Sequence, residues 1–139
     1  MYHRVTIIGN LGSDPQMRYT PNGVPVTSFS VATNRKWTNP DGSAGEETVW
    51  WRVSAWRKLA ETCNQYLSKG RQVFIEGEMK PDPQTGGPRV WTANDGSTRA
   101  SYEITALTIK FLGGGSGGRG DMGGPEEPEG HFQENDLPF

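Results

Sequence analysis

Glu47-Thr48-Val49-Trp50-Trp51-Arg52-Val53-Ser54-Ala55-Trp56-Arg57-Lys58-Leu59-Ala60-Glu61 packs Trp50, Trp51 and Trp56 into one stretch, with Arg52, Arg57 and Lys58 among them. An extended strand sends alternate side chains to opposite faces, so these indoles cannot all share one role. Val49, Trp51, Val53 and Ala55 make an apolar face; Thr48, Trp50, Arg52, Ser54 and Trp56 make the other. Two large aromatics therefore flank a cation on the outward side. An outward strand face is ordinarily small or polar, whereas aromatics interleaved with arginine suit stacking on planar bases and pairing with phosphates. The competing reading is an over-packed core. Trp51, in the apolar set, is assigned to core packing or to a subunit contact.

The chain on either side reads as short strands punctuated by turns. Residues 3–9 are an apolar run with Val5, Ile7 and Ile8, closed by Gly9-Asn10-Leu11-Gly12, and a second piece at 16–20 stops at Pro21-Asn22-Gly23. Residues 24–37 form a long strand with Thr27, Phe29, Val31 and Thr33 in one phase. Trp37 shares that phase, so it reaches the outside only through a twist or bulge near Asn34. Beyond the tryptophan strand, Leu59, Cys63, Tyr66 and Leu67 recur at helical spacing and predict one short amphipathic helix, stopped by Gly70. Val73, Ile75, Gly77 and Met79 alternate inward on the next strand, and residues 89–92 with 102–112 read as a last hairpin. Phe74 points outward there, as a further stacking platform or an interface residue. Five strands with one helix between the third and fourth is the layout of an all-β OB-fold, a Greek-key barrel that binds oligonucleotides or oligosaccharides. The fold alone leaves the ligand open.

At 139 residues the chain suits one compact domain and an appendage. A domain of about 110 residues buries roughly two-thirds of its unfolded surface, so no second core is needed. The single Cys63 excludes an internal disulfide. No apolar run of signal-peptide length opens the sequence and no stretch is long enough to span a bilayer, so a cytoplasmic, nucleoid-associated location is expected. The net charge of −2 argues against a polyanion ligand only until it is divided. Residues 1–112 hold thirteen basic and ten acidic residues, a balance of +3; residues 113–139 hold Arg119 against six acids, a balance of −5. A mildly basic body carries an acidic tail.

That tail opens with Gly113-Gly114-Gly115-Ser116-Gly117-Gly118 and is dominated by Gly, Pro and Glu, too poor in apolar groups to offset its ordering entropy. The expected organisation is a folded domain over 1–112 and a disordered tail over 113–139. The last residues, Glu134-Asn135-Asp136-Leu137-Pro138-Phe139, restore an apolar pair after acids. About 23 flexible residues reach roughly 25 Å, enough for the tip to meet a partner while the body is occupied. The bland alternative is a ragged terminus.

Several segments together resemble the bacterial-type single-stranded-DNA-binding protein family: Gly9-Asn10-Leu11-Gly12-Ser13-Asp14-Pro15, Arg18-Tyr19, Pro21-Asn22-Gly23, residues 50–61, Val73-Phe74-Ile75-Glu76-Gly77 and the tip Asp136-Leu137-Pro138-Phe139. The resemblance covers residues 3–112 in order and then the last four. It implies an OB-fold that assembles as a homotetramer, wraps single-stranded DNA without sequence preference, and recruits replication and repair proteins through Asp136, Leu137, Pro138 and Phe139. The family's base-stacking aromatics fall on Trp37, Trp50, Trp56 and Trp91. Trp56 stands where the family often has Phe, Trp51 where it often has a smaller polar residue, and Leu137 where it commonly has Ile.

Phosphate partners are expected at Arg18, Arg35, Arg52, Arg57, Lys58 and Arg89, each at or beside an aromatic; a solvated surface charge is the alternative for each. Arg57 and Lys58 stand at the predicted helix N-terminus, where the macrodipole disfavours cations, and an anion there would relieve the conflict. Other motif-like strings carry no chemistry. Gly9-Asn10-Leu11-Gly12 lacks the helices a phosphate-gripping loop needs, and Arg119-Gly120-Asp121 is a chance tripeptide. His3, His131 and Cys63 are too scattered for zinc. No nucleophile-base pair or carboxylate cluster is assembled, so no enzyme, metal or cofactor is expected. A specialised paralogue for DNA uptake or primosome assembly, and a nuclease or ligase accessory domain, are the competing readings. The first is disfavoured by the acid-plus-Phe tip, the second by the lack of outward carboxylates.

Overall fold

The computed structural model describes residues 1–113, and the elements follow in the order β1 (Val5–Leu11), β2 (Gln16–Tyr19), β3 (Pro25–Thr38), β4 (Ala44–Trp56), α1 (Lys58–Tyr66), β5 (Gln72–Met79), β6 (Arg89–Thr92) and β7 (Thr98–Phe111). The strands order as β1-β5-β7-β4-β3-β2, and β1 also pairs with β3 through Asn10↔Ala32 and Leu11↔Val31. That last pairing closes β1, β3, β4, β5 and β7 into a five-stranded barrel. The helix falls between its third and fourth strands, as the sequence predicts, while β2 and β6 are short additions hung on β3 and β7. The expected tip, Asp136 to Phe139, and the linker before it lie outside the described residues.

Alternation decides the core. Val31, Val53, Ala55, Val73, Ile75 and Ile104 are fully buried, and all come from inward positions of the barrel strands. The helix plugs one end. Cys63 and Leu67 are buried and Leu59 and Tyr66 pack on the core, while Thr27 donates from its hydroxyl to the carbonyl of Ala60 at 2.7 Å. Burial pushes the Cys63 thiol up to about 12, which makes it a packed apolar group rather than a nucleophile. The helix ends at Tyr66, because Leu67 already turns extended. Gly70, at φ 93°, instead bends the chain into β5.

The β3–β4 pairing runs without a break from Val26↔Trp56 to Thr38↔Ala44. Its outer part has no opposing layer, so beyond Thr33↔Val49 the ribbon leaves the barrel as an arm, and β3 residues from Asn34 onward are exposed. A second, shorter arm is the β6–β7 hairpin. Both tips close in the same way: the amide of Asn39 donates to Ser43 and that of Gly42 to Asn39, and the amide of Ala93 donates to Ser97 and that of Gly96 to Ala93, at 2.8 to 2.9 Å. Gly42 and Gly96 supply the positive φ that this turn requires.

Candidate nucleic-acid interface

Three of the sequence-predicted aromatics share the outer face of the barrel. Trp50, Arg52 and Trp56 leave β4 on one side, and the parallel register Arg52↔Glu103 continues that side onto β7. Ser101 and Arg99 follow in the same phase of β7, opposite Arg89 and Trp91 of β6. Trp50, Trp56 and Trp91 are 56%, 38% and 40% exposed, far from what a core would impose. The over-packed core reading therefore fails for them. Trp51 goes the other way: it is half-buried against the core, tilts against Tyr102 with centroids 5.5 Å apart, and donates from Nε1 to Thr33 Oγ1 at 2.9 Å.

Two grooves run over this face. One is lined by Arg18, Arg52, Lys80, Arg89 and Trp56, with Asp82 and Glu103 among them. The other brings together Trp50, Arg52, Trp91, Arg99 and Tyr102. Arg52 borders both, so the stacking surfaces are joined by a cation. The Trp50 ring lies directly against Gly12, where any Cβ would collide with it. The Gly9-to-Gly12 segment thus not only closes the first strand but also makes room for an indole.

Trp37 occupies a different surface. The unbroken register shows no bulge at Asn34, so Trp37 keeps the phase of Phe29 and Val31, opposite to that of Trp50. It is exposed because the arm has left the barrel, not because the strand is irregular. Its ring rests on Gly45, donates from Nε1 to Asn39 Oδ1 at 2.9 Å, and carries the Arg35 guanidinium 4.8 Å from its centroid. Arg35 in turn bonds Glu47 at 3.0 Å. Phe74 pairs with Ile8 and Lys110, towards the other end of β7 from Ser101, and is not brought to the tryptophan face.

Arg18 and Arg52 bring their charge to the first groove, and Arg89 stands 3.6 Å from Glu103, one of whose oxygens is buried without a hydrogen bond. Arg57 caps the helix at φ 59°, a left-handed conformation uncommon for a residue with a side chain, and no side chain caps the helix end. Arg57 and Lys58 are both exposed there, directly after Trp56. Sequence reasoning missed Lys80, Arg99 and Tyr102. Lys80 sat at a strand end with no aromatic beside it, and Arg99 fell in the part of the last hairpin that was read as loop. Among the described residues no group of His, Cys, Asp and Glu could hold a metal ion, and no helix is long and apolar enough to cross a membrane.

Comparison with known proteins places this surface in context. The single-strand binding protein family matches residues 2–112. Single-stranded DNA-binding proteins of Neisseria meningitidis serogroups A and B are each 41% identical over 131 residues, which is 94% of this chain and 70% of the relative. Among solved structures, the Plasmodium falciparum SSB in complex with single-stranded DNA superposes with a TM-score of 0.64 at 24% identity, over 81% of this chain and 96% of that one. The small single-stranded DNA-binding protein of Streptomyces coelicolor gives 0.64 at 25% identity, over 79% and 94%.

Proposed function

The chain belongs to the single-strand binding protein family, and from that premise we propose that it coats and protects single-stranded DNA during replication, recombination and repair, as a binding protein without a reaction of its own. The observation that carries this reading is the outer face: Trp50, Trp56 and Trp91 exposed together, with Arg18, Arg52, Lys80 and Arg89 lining the groove beside Trp56. Bases offer π faces and the backbone offers charge, and both are independent of sequence. A duplex hides its base faces in the stack, so this surface selects single strands. Trp37 and its arm would take the strand as it leaves the barrel. Arg57 and Lys58 would meet phosphate beside Trp56. Phe74, with Ile8 53% exposed next to it, sits on a face that suits a subunit contact better than a base.

The same reading extends to assembly and partners. The chain forms a homo-oligomer, a homotetramer, and its tip Asp136-Leu137-Pro138-Phe139 docks replication and repair proteins in the cytoplasm, at the nucleoid. Light scattering tests the first point, with four chains expected. Deleting Asp136 to Phe139 tests the second: capture of partners is lost with DNA affinity intact. The central test is tryptophan fluorescence. Oligo-dT of adequate length quenches it strongly and duplex of equal length does not; equal quenching by duplex overturns the proposal.

A further inference from the structure

The two arms repeat one sequence. Arg35-Lys36-Trp37-Thr38-Asn39-Pro40-Asp41-Gly42-Ser43 and Arg89-Val90-Trp91-Thr92-Ala93-Asn94-Asp95-Gly96-Ser97 share Arg, Trp, Thr, Asp, Gly and Ser at the same positions. The tips also share their bonds. Asp41 Oδ1 accepts from the amide and hydroxyl of Ser43 at 2.9 and 2.7 Å, and Asp95 Oδ1 accepts from those of Ser97 at 2.9 and 2.6 Å. In each arm the tryptophan stands one cross-strand pair behind the turn, facing Gly45 in one and Arg99 in the other.

What the repeat holds constant beside the tryptophan is an arginine with a carboxylate partner. Arg35 reaches across to Glu47 at 3.0 Å while its guanidinium covers the Trp37 ring. Arg89 faces Glu103 at 3.6 Å, and the strand neighbour of Arg89, Ser101, accepts from Trp91 Nε1 at 3.1 Å. Arg99, opposite Trp91, is likewise tied to Asp95 at 3.4 Å and donates to Ser97 at 3.2 Å. Arg18, Arg52 and Lys80 in the groove make no such pair among the described residues.

We propose that Arg35, two residues before the arm tryptophan Trp37, is a positioning residue for that stacking platform, and that phosphate neutralisation falls to cations without a carboxylate partner among the described residues, Arg18, Arg52 and Lys80 in the groove and Arg57 and Lys58 beside Trp56. A guanidinium is planar, so it covers an indole and offers an edge to a carboxylate at once; an ammonium cannot do both. A pair whose charges cancel draws little on the phosphates and releases no counterion from the strand. Transferring Arg35 to a phosphate would uncover Trp37 and leave Glu47 facing an anion. This rests on the single-stranded-DNA reading above and divides the labour within it.

The salt dependence of binding to oligo-dT, measured on the full chain, separates the two roles. Each phosphate contact contributes about 0.7 to the slope of log affinity against log salt for single strands. Arg52→Gln is expected to flatten the slope by about 0.7, and Arg52→Lys to restore it. Arg35→Gln weakens binding roughly threefold or more, as the platform is loosened, at an unchanged slope; Arg35→Lys does not recover the loss. Glu47→Gln leaves Arg35 unpaired and steepens the slope by about 0.7. The proposal is overturned if Arg35→Gln flattens the slope as Arg52→Gln does and Arg35→Lys restores it, or if Glu47→Gln leaves the slope unmoved. Absence of wild-type binding to oligo-dT would instead remove the functional reading itself.

Discussion

Along β3 and β4 the inward-phase side chains change character at one level. Below it Phe29, Val31 and Val53 are buried; above it Arg35, Trp37 and Glu47 occupy the same phase and meet solvent. The barrel wall and the arm are thus one pair of strands with one register and two environments. Strand alternation assigns a face, but burial needs a second layer across from it. In the wall that layer is the rest of the barrel and the helix. In the arms it is missing, and cohesion comes from turn hydrogen bonds, indole N–H groups with acceptors, and arginine–carboxylate pairs. Such segments open locally at low cost, which suits the proposed role of the arms in taking up a flexible strand.

The sharpest separation is expected from truncation on either side of that level. Ile104→Ala, in the fully buried wall, should lower stability in denaturant titration by about 2 to 5 kcal/mol, with the DNA affinity of the folded protein preserved. Trp91→Ala should leave the denaturation midpoint nearly unchanged. If both variants destabilise equally, the arm has a core of its own and the comparison fails. Next in size, Trp50→Ala should weaken single-stranded DNA binding by about 1 to 3 kcal/mol. That loss should persist at high salt, because stacking is not screened; a loss confined to low salt would move Trp50 from the stacking set to the electrostatic one.

Legibility followed the same divide. The wall was readable because Val49, Trp51, Val53 and Ala55 on one side and Trp50, Arg52 and Trp56 on the other obey a period of two, and both faces appear as that period implies. The helix was readable because Leu59, Cys63 and Leu67 repeat at its own period. Trp37 was not, for the phase was right and the conclusion needed the arm's length, which no local pattern carries. Nor were the arginine pairs: Arg35 meets Glu47 across a turn, and Arg89 meets Glu103 across a hairpin whose second strand begins four residues before the sequence suggested. Charge pairing between strands depends on register, and register depends on where the turn falls. The repeated Arg-x-Trp-Thr-x-x-Asp-Gly-Ser was the available signal, since it fixes both turns at once.

A smaller effect tests how the arm aims its platform. Gly45→Ala places a methyl where the Trp37 ring lies, and the ring, as the end of a side chain, can move away. Stability should change by less than about 1 kcal/mol. The Nε1 bond to Asn39 should break, seen as a red shift of indole emission, and DNA affinity should fall by less than Trp37→Ala costs. Gly12→Ala is the matched variant at the wall, where the Trp50 ring is the obstacle; a larger loss there than at Gly45 would show that the rigid wall tolerates displacement less than the arm does.

The smallest difference expected is in acid. Hydrogen bonds from Ser43 hold the Asp41 carboxyl below its ordinary 3.8, and those from Ser97 do the same for Asp95. A carboxyl depressed in the folded state contributes stability that is fully present above its unfolded value and is lost as pH falls through its folded one. Both tips should therefore keep their shape down to about pH 4 and loosen only below it, with the amide signals of Ser43 and Ser97 moving together in an NMR titration. Both carboxyls are fully exposed, so the barrel should not register the change in its melting. Matching tip titrations would confirm that the two arms close by one device. If the Ser97 amide reports an Asp95 transition below 3.8 while the Ser43 amide reports one for Asp41 near that value, the repeat is one of sequence and not of physics, and the arms must be treated as separate solutions.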